Sequence, residues 1–68
     1  MENLRWIPVS EMLPKEYEIV LTWVRYKKME DFAIGWRSDK GWYSVGHSGK
    51  AECLAWMPLP EPYEEAKI

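Results

Sequence analysis

The residue types best suited to nucleophilic chemistry occur once each in this chain, as Cys53 and His47. A cysteine beside a histidine is the minimum for a thiol nucleophile, because the imidazole can take the thiol proton. The two side chains would face each other if the strands on either side of SGKAE formed a hairpin. However, Cys53 alternates with Ala55 and Met57, a pattern typical of a packed strand face, and a free cysteine is usually buried and inert. We therefore predict no catalytic residues and keep a thiol-dependent enzyme using Cys53 as an alternative.

The remaining polar residues do not form a recognisable chemical site. Glu16 with Glu18, and Glu64 with Glu65, lack the apolar surroundings that would separate the pKa values of an acid and a base. GHSGK is not preceded by a strand and followed by a helix, as a phosphate-binding loop would be. One cysteine and one histidine fall short of the four ligands of a typical structural zinc site. We expect neither a metal nor a cofactor.

The composition places unusual weight on aromatic side chains. The chain has 68 residues, among them five Trp, four Tyr and one Phe. Each ring buries ~150–250 Å², which corresponds to roughly 4–6 kcal/mol as an upper figure. A single cysteine allows no internal disulfide, so aromatic burial must stabilise this small domain. Self-association is a further source of stability for so short a chain, and we expect a homo-oligomer.

The charge and hydropathy of the chain argue against two classes of partner. The net charge is −2 and the isoelectric point is near 5.3, whereas general nucleic-acid binding relies on dense basic patches. The basic cluster Arg25, Lys27 and Lys28 is followed directly by Glu30 and Asp31, as in a solvated hairpin tip. No apolar run approaches the ~20 residues of a membrane helix. A lone free cysteine fits a reducing cytoplasm.

The pattern of strands and turns predicts an all-β fold. β-branched and aromatic residues are concentrated in four segments, 18–26, 31–37, 41–47 and 52–57. KKME and SDKG separate the first three, and SDKG has the composition of a tight turn. We predict an antiparallel meander of three or four strands, in an open sheet or partial barrel. One short helical turn near residues 10–13 would begin at Ser10 and stop at Pro14. Residues 1–68 form one domain, with loosely held ends at 1–5 and 63–68.

Alternation along the two central segments assigns their side chains to faces. In 18–26 both faces are largely apolar, so we expect a central strand covered on both sides. One face carries Ile19, Leu21 and Trp23, and the other carries Val20, Thr22, Val24 and Tyr26. In 31–37, Phe32, Ile34 and Trp36 share a face, and Gly35 on the opposite face should make room for a neighbouring ring.

Two proline-bearing segments, WIPV at 6–9 and WMPL at 56–59, share one pattern. Proline lacks a backbone N–H, so it fits best at the edge of a sheet, where it also blocks further pairing. We expect the two segments to act as lids, side by side, with each indole N–H on a backbone carbonyl. Their characteristic residues are Trp6, Pro8, Ser10, Pro14, Trp56, Pro58 and Pro60. The alternative is that PLPEP is a polyproline-type ligand for the aromatic groove of a partner.

The same end segments carry a family resemblance. WIPVSEMLP and WMPLPEP, with a VL strand after the first and GWY before the second, resemble the family called domain of unknown function 551. The resemblance covers residues 6–62. It implies small proteins, or short terminal domains, of tailed phages and prophages, and it implies no established activity. The chain departs from the family pattern at Met12, where a basic residue is frequent, and at Ala55, where a histidine often precedes the tryptophan.

The surplus of aromatic residues suggests a binding groove, because tryptophan stacks on bases and arginine pairs with phosphates. We predict a nucleotide-like ligand on Trp23, Arg25, Tyr26, Trp36, Arg37, Trp42 and Tyr43. With the phage resemblance, this gives our hypothesis of a non-catalytic binding module that acts by stoichiometric capture. It would sequester a nucleotide-derived host immune signal in the cytoplasm of the bacterial host. The alternative is a protein-interaction module that inhibits or redirects a host protein.

Overall fold

The computed structural model describes residues 5–46 and 51–65. The described residues form five strands and no helix: β1 (Ile7–Pro8), β2 (Val20–Tyr26), β3 (Met29–Ser38), β4 (Gly41–Ser44) and β5 (Glu52–Pro58). All pairings are antiparallel, and the strand order in the sheet is β1-β5-β2-β3-β4. The predicted all-β class and open antiparallel sheet are confirmed.

The last strand, β5, does not continue the predicted meander. β2, β3 and β4 follow one another as predicted, but β5 pairs with β2 on the other side of the sheet. β4 has four residues, whereas β2 offers seven with a buried apolar face. Pairing with β2 therefore gives β5 a longer ladder and a larger apolar surface. The consequence is that β2 is the middle strand of five, as its two apolar faces predicted.

Both predicted turns connect neighbouring strands. Lys27 and Lys28 join β2 to β3, and Lys27 adopts a φ of 58°. Asp39 and Lys40 join β3 to β4, with the Ser38 hydroxyl accepting a hydrogen bond of 3.1 Å from the N–H of Lys40. Each strand pair is thus closed by a two-residue loop, which fixes its register.

The predicted helical turn is a single turn that begins earlier than expected. The carbonyl of Pro8 accepts hydrogen bonds from the N–H groups of Glu11 and Met12, at 2.9 and 3.2 Å. Ser10 therefore lies inside the turn instead of at its start. The turn directs residues 9–14, which we call the covering segment, across one face of the sheet.

The covering segment defines the inner face, which holds the core. The indole N–H of Trp56 donates to the carbonyl of Met12 at 2.8 Å, and Nε of Arg37 donates to the carbonyl of Pro14 at 2.7 Å. Val9 packs against the buried cluster, and Pro14 is itself buried. These contacts seal the inner face with the chain's own backbone. Its buried side chains are Val20, Thr22, Val24, Ala33, Cys53 and Trp56.

Two residues of the sheet interior, Thr22 and Gly35, are explained by their immediate contacts. The Thr22 hydroxyl is fully buried and donates to the carbonyl of Ala33 at 2.7 Å, so its burial leaves no unsatisfied group. Gly35 faces inward, and a Cβ there would overlap the carbonyl oxygen of Tyr43. Gly35 therefore makes room for the backbone of β4, and the expectation that it accommodates a ring is wrong.

The opposite face of the sheet, which we call the outer face, is only partly covered. Phe32 and Ile34 point outward from β3 and are 58% and 39% exposed. Leu21 and Trp23 on β2 lie opposite them in the register. The expectation that β2 is covered on both sides is therefore not met by the described part of the chain.

The two proline-bearing segments lie side by side, as predicted. In the ladder of β1 with β5, Ile7 is opposite Trp56 and Pro8 is opposite Ala55. β1 is an edge strand, but β5 lies between β1 and β2, so the expectation that residues 56–59 form a lid at a sheet edge is wrong. Pro58 is accommodated because it is the last residue of β5. Trp56 is buried with its indole N–H on a carbonyl, which confirms the predicted role of this residue. Trp6 instead packs on the outer face, against Trp23.

Trp56→Phe should destabilise the fold by about 1–3 kcal/mol, because it leaves the Met12 carbonyl without its donor. Urea unfolding followed by circular dichroism measures this change. Trp36→Phe is the matched control, since it removes the same atoms from a half-exposed ring on the outer face. Equal losses for the two variants would show that the indole–carbonyl hydrogen bond does not hold the covering segment.

Candidate functional site

The outer face carries two groups of aromatic rings. The first, the tryptophan cluster, consists of Trp6, Trp23 and Phe32, with ring centroids 5.0–6.0 Å apart. The second is built around Trp36 and Tyr43, whose rings stack at 5.8 Å with an interplanar angle of 24°. Along β3, Trp36 follows Phe32 by four residues, so the two groups are roughly 13 Å apart. They are separate features of one face.

The tryptophan cluster is held by a network of polar contacts around Glu30. The indole N–H of Trp23 donates to one Glu30 carboxylate oxygen at 2.7 Å, and Nε of Arg25 donates to the other at 3.2 Å. The Trp23 hydrogen bond, followed by the Arg25 contact, lowers the pKa of the Glu30 carboxyl. Arg25 is thus already paired with a carboxylate within its own chain. Beside the cluster lies a hollow of about 310 Å³, lined by Trp6, Trp23 and Ala55.

The second group of rings lines an open pocket of about 340 Å³, which we call the tyrosine pocket. Trp36 and Tyr43 meet because they are directly opposite in the β3–β4 ladder. Tyr17 comes from the loop before β2, where a φ of 67° and a 2.8 Å hydrogen bond from its N–H to the Arg37 carbonyl fix its backbone. The pocket is lined by Tyr17, Trp36, Ser38, Asp39, Lys40 and Tyr43. It thus combines aromatic walls with one ammonium and one carboxylate.

The structure divides the seven predicted ligand-binding residues among three places. Trp36 and Tyr43 lie together in the tyrosine pocket. Trp23 and Arg25 share the outer face but belong to the Glu30 network. The remaining three, Tyr26, Arg37 and Trp42, lie on the inner side of the register. A single groove made of all seven residues is therefore excluded.

Each inward residue has a structural role of its own. Arg37 donates to the Pro14 carbonyl and lies 3.8 Å from Glu16, so its guanidinium is used to hold the covering segment. Trp42 packs against the core cluster of Val24, Ala33 and Cys53. Lys27 places its ammonium 5.4 Å from the centroid of the Tyr26 ring.

Four pocket residues were missed by the sequence analysis: Tyr17, Ser38, Asp39 and Lys40. SDKG was predicted to be a turn. A turn that joins two paired strands places its side chains near the cross-strand residue pairs next to it, here the ring pair of Trp36 and Tyr43. That signal was available for Ser38, Asp39 and Lys40. Tyr17 depends on a left-handed backbone conformation that is uncommon for a non-glycine residue, so its sequence context gave no such signal.

Cys53 has the surroundings of a core residue. It is 6% exposed, and its thiol donates to the carbonyl of Ala55 at 3.4 Å. Burial raises the pKa of the Cys53 thiol to about 11, whereas a thiol nucleophile needs a lowered pKa. The hairpin considered for Cys53 and His47 is not formed, because β5 pairs with β1 and β2 while β4 pairs with β3. His47 lies outside the described residues.

Within 5–46 and 51–65, no group of three or more His, Cys, Asp or Glu side chains is arranged to hold a metal ion. The same part of the chain contains no helix of the length and hydropathy needed to cross a membrane.

Comparison with known proteins identifies one family. The family described as "Protein of unknown function (DUF551)" matches residues 5–64. The chain belongs to this family. The matched DUF551 region includes the whole sheet and both aromatic groups. No curated protein matches the chain, and no solved structure matches it.

Met12 and Ala55, where the resemblance led us to expect other residues, contribute to the structure in different ways. Met12 acts through its main-chain carbonyl, and its side chain is exposed, so a different side chain there need not disturb the contact with Trp56. Ala55 lines the hollow beside Trp6 and Trp23. A larger side chain at position 55 would enter that hollow.

Cys53 should be protected from alkylation in the folded protein. A thiol with a pKa of about 11 instead of 9.0 has roughly 100-fold less thiolate near pH 8, and burial hinders access further. Iodoacetamide at pH 8 should therefore modify native protein at least ~100-fold more slowly than protein in denaturant. Mass spectrometry of the intact chain measures both rates. Similar rates would show an accessible, reactive thiol and would revive Cys53 as a nucleophile.

Proposed function

We propose that this DUF551 protein is a non-catalytic binding module that captures a nucleotide-like small molecule in the tyrosine pocket. The observation that carries the proposal is the stacked pair of Trp36 and Tyr43, partly exposed on a sheet face beside the ammonium of Lys40. Aromatic rings on a sheet surface stack with nucleobases, and each stack contributes ~1–3 kcal/mol.

The lining residues supply complementary chemistry for such a ligand. Tyr17, Trp36 and Tyr43 offer ring surfaces for a planar base, and Lys40 offers an ammonium for a phosphate. The Asp39 carboxylate is an acceptor for an exocyclic amino group. The volume of about 340 Å³ lies within the range of small-molecule sites. One ammonium suits a ligand with few negative charges better than a polyanion.

The composition of the pocket favours capture over turnover. Its six described lining residues include one carboxylate, one ammonium and no cysteine. Acid/base chemistry commonly uses two titratable groups whose environments separate their pKa values. A site of this composition is suited to holding a ligand in a stoichiometric complex.

The biological setting that we propose follows from the resemblance to phage and prophage proteins. In the cytoplasm of an infected bacterium, such a module would sequester a nucleotide-derived signal of the host immune response. Stoichiometric capture needs only affinity and abundance, which a short, easily produced chain can provide. The tyrosine pocket has the size of a small ligand, and the capture that we propose requires neither a metal nor catalytic residues.

A panel of nucleoside monophosphates and cyclic mono- and dinucleotides tests the proposal by thermal shift and titration calorimetry. A ligand present at 100 times its dissociation constant should add about 2.7 kcal/mol to the free energy of unfolding. Tyr43→Ala should weaken binding about tenfold, since it removes one stacking ring. Lys28→Ala, at the exposed turn between β2 and β3, is the control and should bind normally. Absence of any shift across the panel would refute nucleotide capture.

A second candidate function rests on the segment after β5. Residues 59–65 are exposed and outside the sheet, and Tyr63 is 87% exposed. Three prolines at 58, 60 and 62 favour an extended conformation that aromatic grooves of other proteins recognise. We propose, as the alternative, a protein-interaction module that inhibits or redirects a host protein through this segment.

Scrambling residues 59–63 tests the alternative without altering β5, because the sheet ends at Pro58. We expect the scrambled protein to unfold at the same urea concentration as the original, and to lose partners that the original protein retains in a pull-down from host lysate. The Tyr43→Ala variant serves as a comparison, since it alters the pocket and leaves the segment intact. Recovery of the same partners with the scrambled segment would exclude it as the contact.

A further inference from the structure

We propose that a second copy of this chain packs on the outer face, so that two sheets meet face to face in a homodimer. The starting observation is that the inner face is sealed by the covering segment, whereas Phe32 and Ile34 in the middle of the outer face are 58% and 39% exposed. A sheet with two apolar faces requires a second layer on each of them. The inference goes beyond the proposed function and does not depend on the identity of any ligand.

The exposed area is of the size that a weak dimer buries, since weak interfaces bury less than about 600 Å² on each partner. If a large apolar side chain offers ~150–250 Å² when fully exposed, the exposed fractions on this face amount to an area on the order of 500 Å². A standard stable interface buries about 800 Å² on each partner, and monomeric proteins rarely expose contiguous apolar patches larger than a few hundred Å². The contributing side chains are Trp6, Ile19, Leu21, Trp23, Phe32, Ile34, Trp36 and Met57.

The electrostatics of the face suit a second identical copy. In a two-fold dimer the same patch lies on both sides of the interface, so any unpaired charge would meet or approach its own equivalent. Arg25, the basic residue at the tryptophan cluster, is paired with Glu30 within its own chain and has Glu52 opposite it on β5, so the charged groups lie together at one end of the face. The middle of the face is formed by Leu21 and Ile34, which are uncharged and opposite each other in the register. Two such faces can therefore meet through an uncharged middle.

The shape of the face is also self-complementary. It has a protruding side chain, Phe32, and a hollow of about 310 Å³ lined by Trp6, Trp23 and Ala55. An isologous interface requires each copy to supply both a projection and a matching cavity. Sheets packed face to face are separated by about 10 Å, which lets side chains of both copies interdigitate. Aromatic side chains of this kind commonly dominate the affinity of an interface.

Sedimentation velocity and native mass spectrometry of the ligand-free protein, from micromolar to several hundred micromolar, test the proposal. We expect a concentration-dependent dimer of the 8.1 kDa chain. Phe32→Lys and Ile34→Lys should each raise the dimer dissociation constant at least ~10-fold. Leu13→Lys is the matched control, because Leu13 is an exposed apolar residue in the covering segment on the opposite side, and it should leave the dimer unchanged. Circular dichroism verifies that each variant is folded.

Tryptophan fluorescence provides a second readout that needs no variant. Trp6, Trp23 and Trp36 are half-buried on the outer face, so acrylamide quenching should decrease as the original protein dimerises. A monomer at every concentration would overturn the proposal. So would a dimer whose quenching equals that of the monomer, or one that tolerates both lysine variants, since either result places the contact at a sheet edge or at the segment after β5. Because no ligand is present, failure here is distinct from failure of nucleotide capture.

Discussion

One constraint governs the described part of this molecule: residues 5–46 and 51–65 cover one face of the sheet and leave the other partly exposed. The inner face is closed by the six residues of the covering segment, held by Trp56 on the Met12 carbonyl and by Arg37 on the Pro14 carbonyl. Both hydrogen bonds satisfy main-chain carbonyls, those of Met12 and Pro14, that lie outside the strands. They replace the hydrogen bonds that regular secondary structure would provide. The proline-bearing ends thereby become part of the core in a domain without a disulfide.

The aromatic side chains divide according to this constraint. Trp42 and Trp56 belong to the inner face and stabilise it, although Trp42 was predicted to bind a ligand. Trp6, Trp23 and Trp36 lie on the outer face, where they stay half-buried. Aromatic content therefore does not report directly on core size in a chain this short. Part of it forms a surface, and that surface is where binding has to be sought.

Local signals in the sequence predicted the local structure well. The alternation within β3 assigned Phe32, Ile34 and Trp36 to one face, and the residues of SDKG placed the β3–β4 turn, because both depend on the chain's nearest neighbours. The position of β5 beside β2 was not predicted, since it depends on competition between distant strands. The same holds for Arg37, whose guanidinium appeared free for a ligand until the fold brought Pro14 beside it.

The strand alternation also explains why the structure separates the seven predicted ligand-binding residues. Aromatic and basic residues close in sequence were grouped as one groove, but a period of two sends neighbours such as Trp36 and Arg37 to opposite faces. The rings that remain together are those opposite each other in a ladder, Trp36 with Tyr43. Because Arg25 is paired with Glu30 and Arg37 with the covering segment, Lys40 supplies the positive charge among the described residues of the pocket. The recognition that we propose for this pocket would rest mainly on ring stacking, which selects for flat ligands of low charge and agrees with the acidic character of the chain as a whole.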